Sequence, residues 1–304
     1  MSEATVIERF GASLERDPDA TAITLIASGG HAERLTYAGL FDMARRAASG
    51  LESLALRRGG VVVLSMPASK EILAYYLACL GTGVIPLIAS GSHRANAFPS
   101  APVLTLDGAR DRMALGEKDI ELRADPDGIA HLQSTSGSTG VPKTAVIRHR
   151  NVSANVRAIG QAIGERDGDS VVSWLPLYHD MGLICVSCVL FWQRPFVLTD
   201  AANFVRHPIR YWLQLISTFR ATISPAPASA YQVCARLAKR RSFEELDLST
   251  WRVGFCGAEP VHPRTVTDFQ ERFAPYGLPP TTLLPVYGLA EATLAVTIPE
   301  RDSR

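Results

Sequence analysis

LQSTSGSTGVPKTAVIRHRNV, residues 132–152, sets two Ser/Thr-Gly pairs, a proline and a lysine between apolar flanks. Glycine lets backbone N–H groups approach a ligand closely, and a run of such groups forms an anion-binding concavity. The hydroxyls of Ser134, Thr135, Ser136, Ser138 and Thr139 add short donors, and Lys143 adds one cation on a long stem. This set suits a polyphosphate. It is not the Walker loop, in which glycine and lysine are adjacent, because Val141 and Pro142 separate Gly140 from Lys143. A Ser/Gly-rich segment is equally a plain loop or linker on composition alone. The apolar runs at 128–132 and 145–148 argue otherwise, because both read as strands. A glycine loop between two strands lies inside a folded unit, where a binding loop belongs.

Outward from this stretch, short apolar runs alternate with segments of helical period. Strands are expected over 21–26, 61–64, 84–87, 103–106, 171–174, 196–198, 221–224, 253–255 and 282–284. Thr36 is expected to cap a helix whose apolar face is Leu40, Ala44, Ala47, Leu51 and Leu54. Ser69 caps a second helix through Leu80, and Asn151 a third through Ala162. Further helices are expected over 181–192, 209–219, 228–237 and 264–273, with a loop at 90–100. Such alternation predicts an α/β fold of two doubly wound, mainly parallel sheets covered by helices. Residues 58–165 would form the subdomain with the glycine loop, and 1–57 plus 166–304 the second subdomain.

The 304 residues suffice for two such units. The net charge of +1 provides no basic field for nucleic acid, and no apolar run reaches membrane-spanning length. The N-terminal stretch lacks the basic and apolar regions of a secretory signal, and five cysteines in mainly apolar stretches suit a reducing cytoplasm. Cys185 and Cys188 form a C-x-x-C, but inside the apolar MGLICVSCVLFW they read as buried thiols on one helix face.

Three further clusters accompany the glycine loop. SWLPLYHDMGL (173–183), GFCGAEP (254–260) and PVYGLAEATLAV (285–296) each follow an expected strand. In open α/β sheets the carboxyl edge of the strands is where ligands bind. A lone His179 is ordinarily structural and a lone Glu291 ordinarily a solvated surface group. Their places at strand ends set both above that baseline.

Taken together, these residues resemble the adenylate-forming superfamily of acyl-CoA synthetases, peptide-synthetase adenylation domains, luciferases and fatty acyl-AMP ligases. The segment from Ser134 to Lys143 is similar to its phosphate-binding signature, and 285–293 to its Y-G-x-T-E signature. LPLYHDMGL, GAEP and YGLAEATL look most like the fatty acyl-AMP ligase branch. Ser134 stands where the signature has an aromatic, Thr144 where it has glycine, and Ala290 where it has threonine. These mark a divergent member. Nothing after Val296 resembles the family's ribose-binding T-G-D motif or its small C-terminal domain with a catalytic lysine. The expectation is therefore a large domain truncated before the C-terminal domain, or half of a split enzyme.

The resemblance implies activation of a carboxylic acid, acyl or aryl, by ATP to an acyl-adenylate with release of pyrophosphate. Transfer to the thiol of an acyl carrier protein or CoA would follow, in lipid or natural-product biosynthesis. Lys143, His179 and Glu291 would carry the catalytic roles. Thr135, Ser136, Gly137, Ser138, Thr139, Gly140 and Lys143 would hold the β- and γ-phosphates, and Thr139 and Glu291 would hold Mg²⁺. Gly257, Ala258, Glu259 and Pro260 would line the adenine pocket. Tyr287 would stack on the base, with Gly288 and Thr293 also at the nucleotide. His179 would lie near the acyl carboxylate, and Met181, Gly182, Cys185, Ala228 and Tyr231 would wall the acyl pocket. Three other readings remain open at this point: a non-catalytic nucleotide- or acyl-binding fragment, an acyl-CoA synthetase, and an unrelated P-loop NTPase, which the Gly140–Lys143 spacing disfavours.

Overall fold

Short hydroxyl residues start the first helices. Thr5, Thr36 and Ser69 cap α1 (Val6–Arg16), α2 (Tyr37–Glu52) and α3 (Lys70–Thr82), each accepting a hydrogen bond from the N–H three residues on. Each such bond satisfies a donor that the first helical turn leaves without an intrahelical partner. Thr105 does the same for α4 (Leu106–Leu115), so the strand expected at 103–106 stops at Leu104 and its end becomes a helix start. The next helix, α5 (His149–Ile163), begins two residues before Asn151, whose side chain reaches back to accept from the Arg148 N–H at 3.0 Å. The computed structural model describes residues 4–90, 98–116, 120–135, 143–239 and 242–300. Most of the loop expected at 90–100 lies outside them.

The strands are β1 (Thr21–Ile26), β2 (Ala32–Thr36), β3 (Val61–Leu64), β4 (Ile85–Ile88), β5 (Val103–Leu104), β6 (Ile129–Ser134) and β7 (Thr144–Arg148). They continue with β8 (Val171–Ser173), β9 (Phe196–Thr199), β10 (Ile223–Pro227), β11 (Val253–Gly257), β12 (Leu283–Pro285), β13 (Tyr287–Gly288) and β14 (Ala295–Thr297). One sheet runs β12-β11-β10-β8-β9-β1-β2 and another β5-β3-β4-β6-β7, with β13 and β14 forming a separate hairpin. Both large sheets are parallel except at one edge, where β2 and β7 run antiparallel to their neighbours. The strand β2 was not visible in the sequence. Its AERLT is largely polar, and it exists by pairing with β1.

Later helices are α6 (Asp180–Trp192), α7 (Ala201–Arg206), α8 (Gln214–Thr218), α9 (Ala228–Ala238) and α10 (Pro263–Phe273). The helix expected over 209–219 is instead a π-helical turn, Ile209–Leu213, running into the short α8. That turn buries Tyr211, Trp212 and Leu213 together.

Every residue of α6 from Met181 to Trp192 is buried, as a helix apolar all round must be. It packs beside α1 and α5 in one continuous core that also takes in α2, α3 and residues of both large sheets. A second core lies on the other side of the seven-stranded sheet around Trp212, whose ring centroid is 5.0 Å from Tyr231 and 5.6 Å from Trp251. Between α5 and that sheet, Asp169 accepts from Thr222 Oγ1 at 2.8 Å, from the Arg166 N–H at 3.0 Å, and from Nε of Arg252 at 2.8 Å. Arg252 also donates to the carbonyls of Ile163, the last residue of α5, and of Gly164, which caps it. Among the described residues no helix is long and apolar enough to cross a membrane. All five cysteines are buried and free.

Candidate active site

Strands β6 and β7 flank the glycine-rich segment. Thr135 donates from its N–H to the Lys143 carbonyl at 2.8 Å, and its hydroxyl donates to the same oxygen at 3.2 Å. The two ends of the loop are thus held together. Ser136, Gly137, Ser138, Thr139 and Gly140 lie outside the described residues. Beside this hairpin, Gln133 Nε2 donates to the Tyr178 carbonyl at 2.8 Å and ties β6 to the turn that carries His179.

His179 is the N-cap of α6, exposed, with its ring 5.3 Å from that of Tyr178. Behind it the helix starts tightly against the preceding turn: a Cβ at Gly182 would lie 2.3 Å from the Pro176 carbonyl oxygen, so only glycine fits. Burial pushes the Asp180 carboxyl above the usual carboxylate range, opposed mainly by the Met181 N–H, and the negative charge of Glu291 adds to the rise. Two carboxylates therefore face a common space.

Glu291 sits on a 3₁₀ turn, Ala290–Ala292, between β13 and β14. The loop is closed by a Leu289 N–H to Leu294 carbonyl bond at 2.8 Å, and a Cβ at Gly288 would meet that carbonyl oxygen at 2.2 Å. Asn155 of α5 clamps it from the side. Its Nδ2 donates to the Ala295 carbonyl at 2.9 Å and its Oδ1 accepts from the Ala295 N–H at 3.1 Å. The amide thus satisfies both backbone groups of one residue, as a neighbouring strand would. Thr293 and Ala258 are non-glycine residues in the left-handed region, at φ 74° and 59°. Backbone held in that region costs free energy and clusters where the surroundings over-determine it.

These segments enclose a cleft of about 420 Å³. Its polar part is bordered by Ser134, Thr135, Lys143, His179, Asp180, Tyr287 and Glu291. Lys143 and Glu291 are exposed, and Tyr287 presents its ring with 60% exposure. The remaining wall is apolar, formed by Met181, Cys185, Cys188, Val189 and Trp192 of α6 with Ile159, Ile223, Phe255 and Leu294. Ala258 and Gly288 also border the cleft.

Seven expected site residues do not border this cleft. Tyr231 and Ala228 belong to the second core, where the Tyr231 hydroxyl donates to the Phe255 carbonyl at 2.9 Å, so neither walls the cleft. Glu259 caps α9, its carboxylate accepting from the N–H and hydroxyl of Ser229 at 2.9 and 3.0 Å. Pro260 is exposed beyond it. Thr293 is buried in a shallow neighbouring groove with Asn155 and Ala292. Gly257 ends β11 in register with Pro227 and does not border the cleft, and Gly182 is enclosed by the turn before α6. Conversely, Gln133, Asn155 and Trp192 carry no motif signal. Only the hairpin and helix contacts show their places.

A profile of AMP-binding enzymes matches residues 10–100 and 92–304 of the chain. The chain belongs to the AMP-binding enzyme family. Relatives within it narrow the likeness. Long-chain-fatty-acid–AMP ligase FadD26 of Mycobacterium bovis is 34% identical over 338 residues, covering 94% of this chain and 56% of that protein. A medium-chain-fatty-acid–[acyl-carrier-protein] ligase, TtuA of Teredinibacter turnerae, is 41% identical over 182 residues, covering 60% of this chain and 28% of that one. The crystal structure of a fatty acid AMP ligase from Legionella pneumophila superposes with a TM-score of 0.88 at 27% identity, over 97% of this chain and 56% of that one. A fatty acyl-adenylate ligase from L. pneumophila, in complex with acyl adenylate and pyrophosphate, matches with a TM-score of 0.84 at 28% identity, over 97% and 56%. The AMP-binding domain described here therefore spans about half the length of the fatty acyl-AMP ligases it resembles. The α/β architecture with parallel, helix-flanked sheets is the one expected from the sequence.

Proposed function

We propose that this domain activates a fatty or other apolar carboxylic acid with ATP, forming an acyl-adenylate and releasing pyrophosphate. The observation that carries the reading is the cleft itself, which joins a charged, hydroxyl-bearing mouth to an apolar wall along α6. Such amphipathic concavity matches a ligand that is phosphate and nucleoside at one end and hydrocarbon at the other. The relatives' names, fatty acyl-AMP and acyl-carrier-protein ligases, support the same substrate class.

The chemistry needs no strong base, because the attacking carboxylate is already ionised near neutral pH. The difficulty is bringing one anion to the α-phosphorus of a polyanion, so catalysis is mainly positioning and charge neutralisation. Lys143, the hydroxyl of Thr135 and the loop at 136–140 would hold the β- and γ-phosphates, leaving the α-phosphorus open to the carboxylate. The Tyr287 ring would take the face of the adenine and Ala258 its edge. His179 would orient the acyl carboxylate at the start of α6, while Met181 and Cys185 would take the first carbons of its chain. The donor chemistry fits Mg²⁺: a hard cation prefers oxygen, and the mouth holds the exposed Glu291 carboxylate beside hydroxyls, with Thr139 as the expected second ligand. When bound, that ion would neutralise charge on the phosphates. The acceptor that consumes the adenylate would be the thiol of a carrier protein or of CoA. The buried, free cysteines suit a reducing cytoplasm.

The test incubates the domain with ATP, Mg²⁺ and a panel of carboxylic acids, and reads acyl-AMP by mass spectrometry. Saturable binding of non-hydrolysable acyl-sulfamoyl-adenosines is measured in parallel. Glu291→Gln should abolish Mg²⁺-dependent turnover with the fold intact. Absence of both acyl-AMP and analogue binding would refute the proposal.

A further inference from the structure

We infer that Trp192 closes the apolar end of the cleft and sets the length of acyl chain that this domain accepts. The inference rests on the acyl-adenylate reading above. Along α6 the cleft-lining residues are Met181, Cys185, Cys188 and Trp192. Their steps of four, three and four residues keep them on one helical face. Met181 starts this stripe beside His179 and Asp180, at the polar mouth, and Trp192 is the last residue of the helix. Eleven helical steps at the standard rise give a wall about 16 Å long, enough for an extended chain of roughly a dozen carbons.

The far end is built to be rigid. The Trp192 indole rests on α5 at Gly160, where an added Cβ would lie 3.0 Å from its Nε1. Ile159, next to Gly160, lines the same cleft. The bulk at 192 is thus matched by the absence of a side chain at 160. The following residue, Gln193, turns the chain in the left-handed region at φ 59°. The preceding one is anchored to α1: Arg9 Nε donates to the Phe191 carbonyl at 3.3 Å, and the Arg9 and Arg157 guanidiniums stand 5.4 and 5.6 Å from the Phe191 ring. A side chain held between two anchored neighbours and a helix backbone acts as a fixed stop. A chain longer than the wall must displace the indole or leave its tail in water.

The experiment titrates octanoyl-, dodecanoyl- and hexadecanoyl-sulfamoyl-adenosine against wild type, Trp192→Ala, Trp192→Leu and Gly160→Ala, with a thermal melt of each variant. Wild type should gain affinity from octanoyl to dodecanoyl, since each buried methylene contributes, and then lose about ten-fold at hexadecanoyl, because the longer chain must push the indole off its seat on Gly160. Trp192→Ala should remove the penalty at hexadecanoyl, so that affinity rises from dodecanoyl to hexadecanoyl. Trp192→Leu should do so in part, and serves if the alanine variant does not fold. Gly160→Ala should push the indole into the cleft and move the cut-off to shorter chains. An unbroken rise in wild-type affinity through hexadecanoyl, or the same length profile in folded Trp192 variants, overturns the inference while leaving the acyl-adenylate site standing. Absence of binding by all three analogues would instead remove the reading beneath it.

Discussion

Replacing Asn155 by leucine tests how the Glu291 loop is held. The amide makes two hydrogen bonds to the backbone of one residue, Ala295, at 2.9 and 3.1 Å. A hydrogen bond of this kind contributes about 0.5–1.5 kcal/mol net, so losing both should cost about 1–3 kcal/mol. The loss falls on a short hairpin that is otherwise held by two-residue pairing and the Leu289–Leu294 bond. A two-stranded hairpin is marginal by itself, so the loop should loosen before the rest of the domain unfolds. Glu291 and Tyr287 ride on that hairpin, and affinity for an acyl-sulfamoyl-adenosine should fall about ten-fold, the equivalent of about 1.4 kcal/mol. Asn155→Asp keeps the acceptor for the Ala295 N–H but sets a carboxylate oxygen against the Ala295 carbonyl, so it should rescue little. The assay pairs urea denaturation with calorimetric titration of the analogue, and adds hydrogen exchange to read protection of the Ala295 amide. Unchanged affinity together with an unchanged Ala295 exchange rate in Asn155→Leu would refute the argument, whatever happened to global stability.

Lys143→Ala should weaken ATP by about ten-fold or more and leave AMP nearly unaffected, because a charge-assisted bond to the β- and γ-phosphates is absent for AMP. Equal losses for the two nucleotides in calorimetry would make the lysine structural. Asp169→Asn breaks a buried pair whose carboxylate is 1% exposed, and should cost about 3–5 kcal/mol in urea denaturation, with a loss below about 1 kcal/mol refuting it. Burial lowers His131 to about 3, with the His149 imidazole adding to the fall, and lowers His149 to about 4 against the opposing charges of Asp125 and Glu8. Both are neutral in the fold and bind protons first in the unfolded chain, so their contribution is complete above pH 6.5 and is lost as pH falls. Between about pH 6.5 and 5, stability should drop by up to about 1.4 kcal/mol per pH unit for each histidine. A flat stability profile over that window would contradict it.

The sequence by itself determined most of the repeating structure. Apolar period and hydroxyl caps located α2, α3 and α6, because Thr36, Ser69 and the unbroken apolar run at 181–192 act through neighbours a few residues away. It also marked the motif segments, since glycine, proline and a fixed cation at set spacing have few other uses. Strand β2, the π-helical turn at 209–213 and the β13–β14 hairpin were not legible, because polar AERLT and two- or three-residue strands exist only through the partners they pair with. The same holds for roles. Tyr231 and Ala228 looked like pocket residues in a line of text, yet the side of β10 on which α9 packs sends them into the aromatic core. Glu259 reads as part of a nucleotide motif, and nothing in that motif shows that its carboxylate also caps α9 through Ser229, thirty residues earlier. Gln133, Asn155 and Trp192 have no local signature at all. Their positions follow from contacts between segments tens to more than a hundred residues apart, and such contacts are set by how the two sheets close on α6.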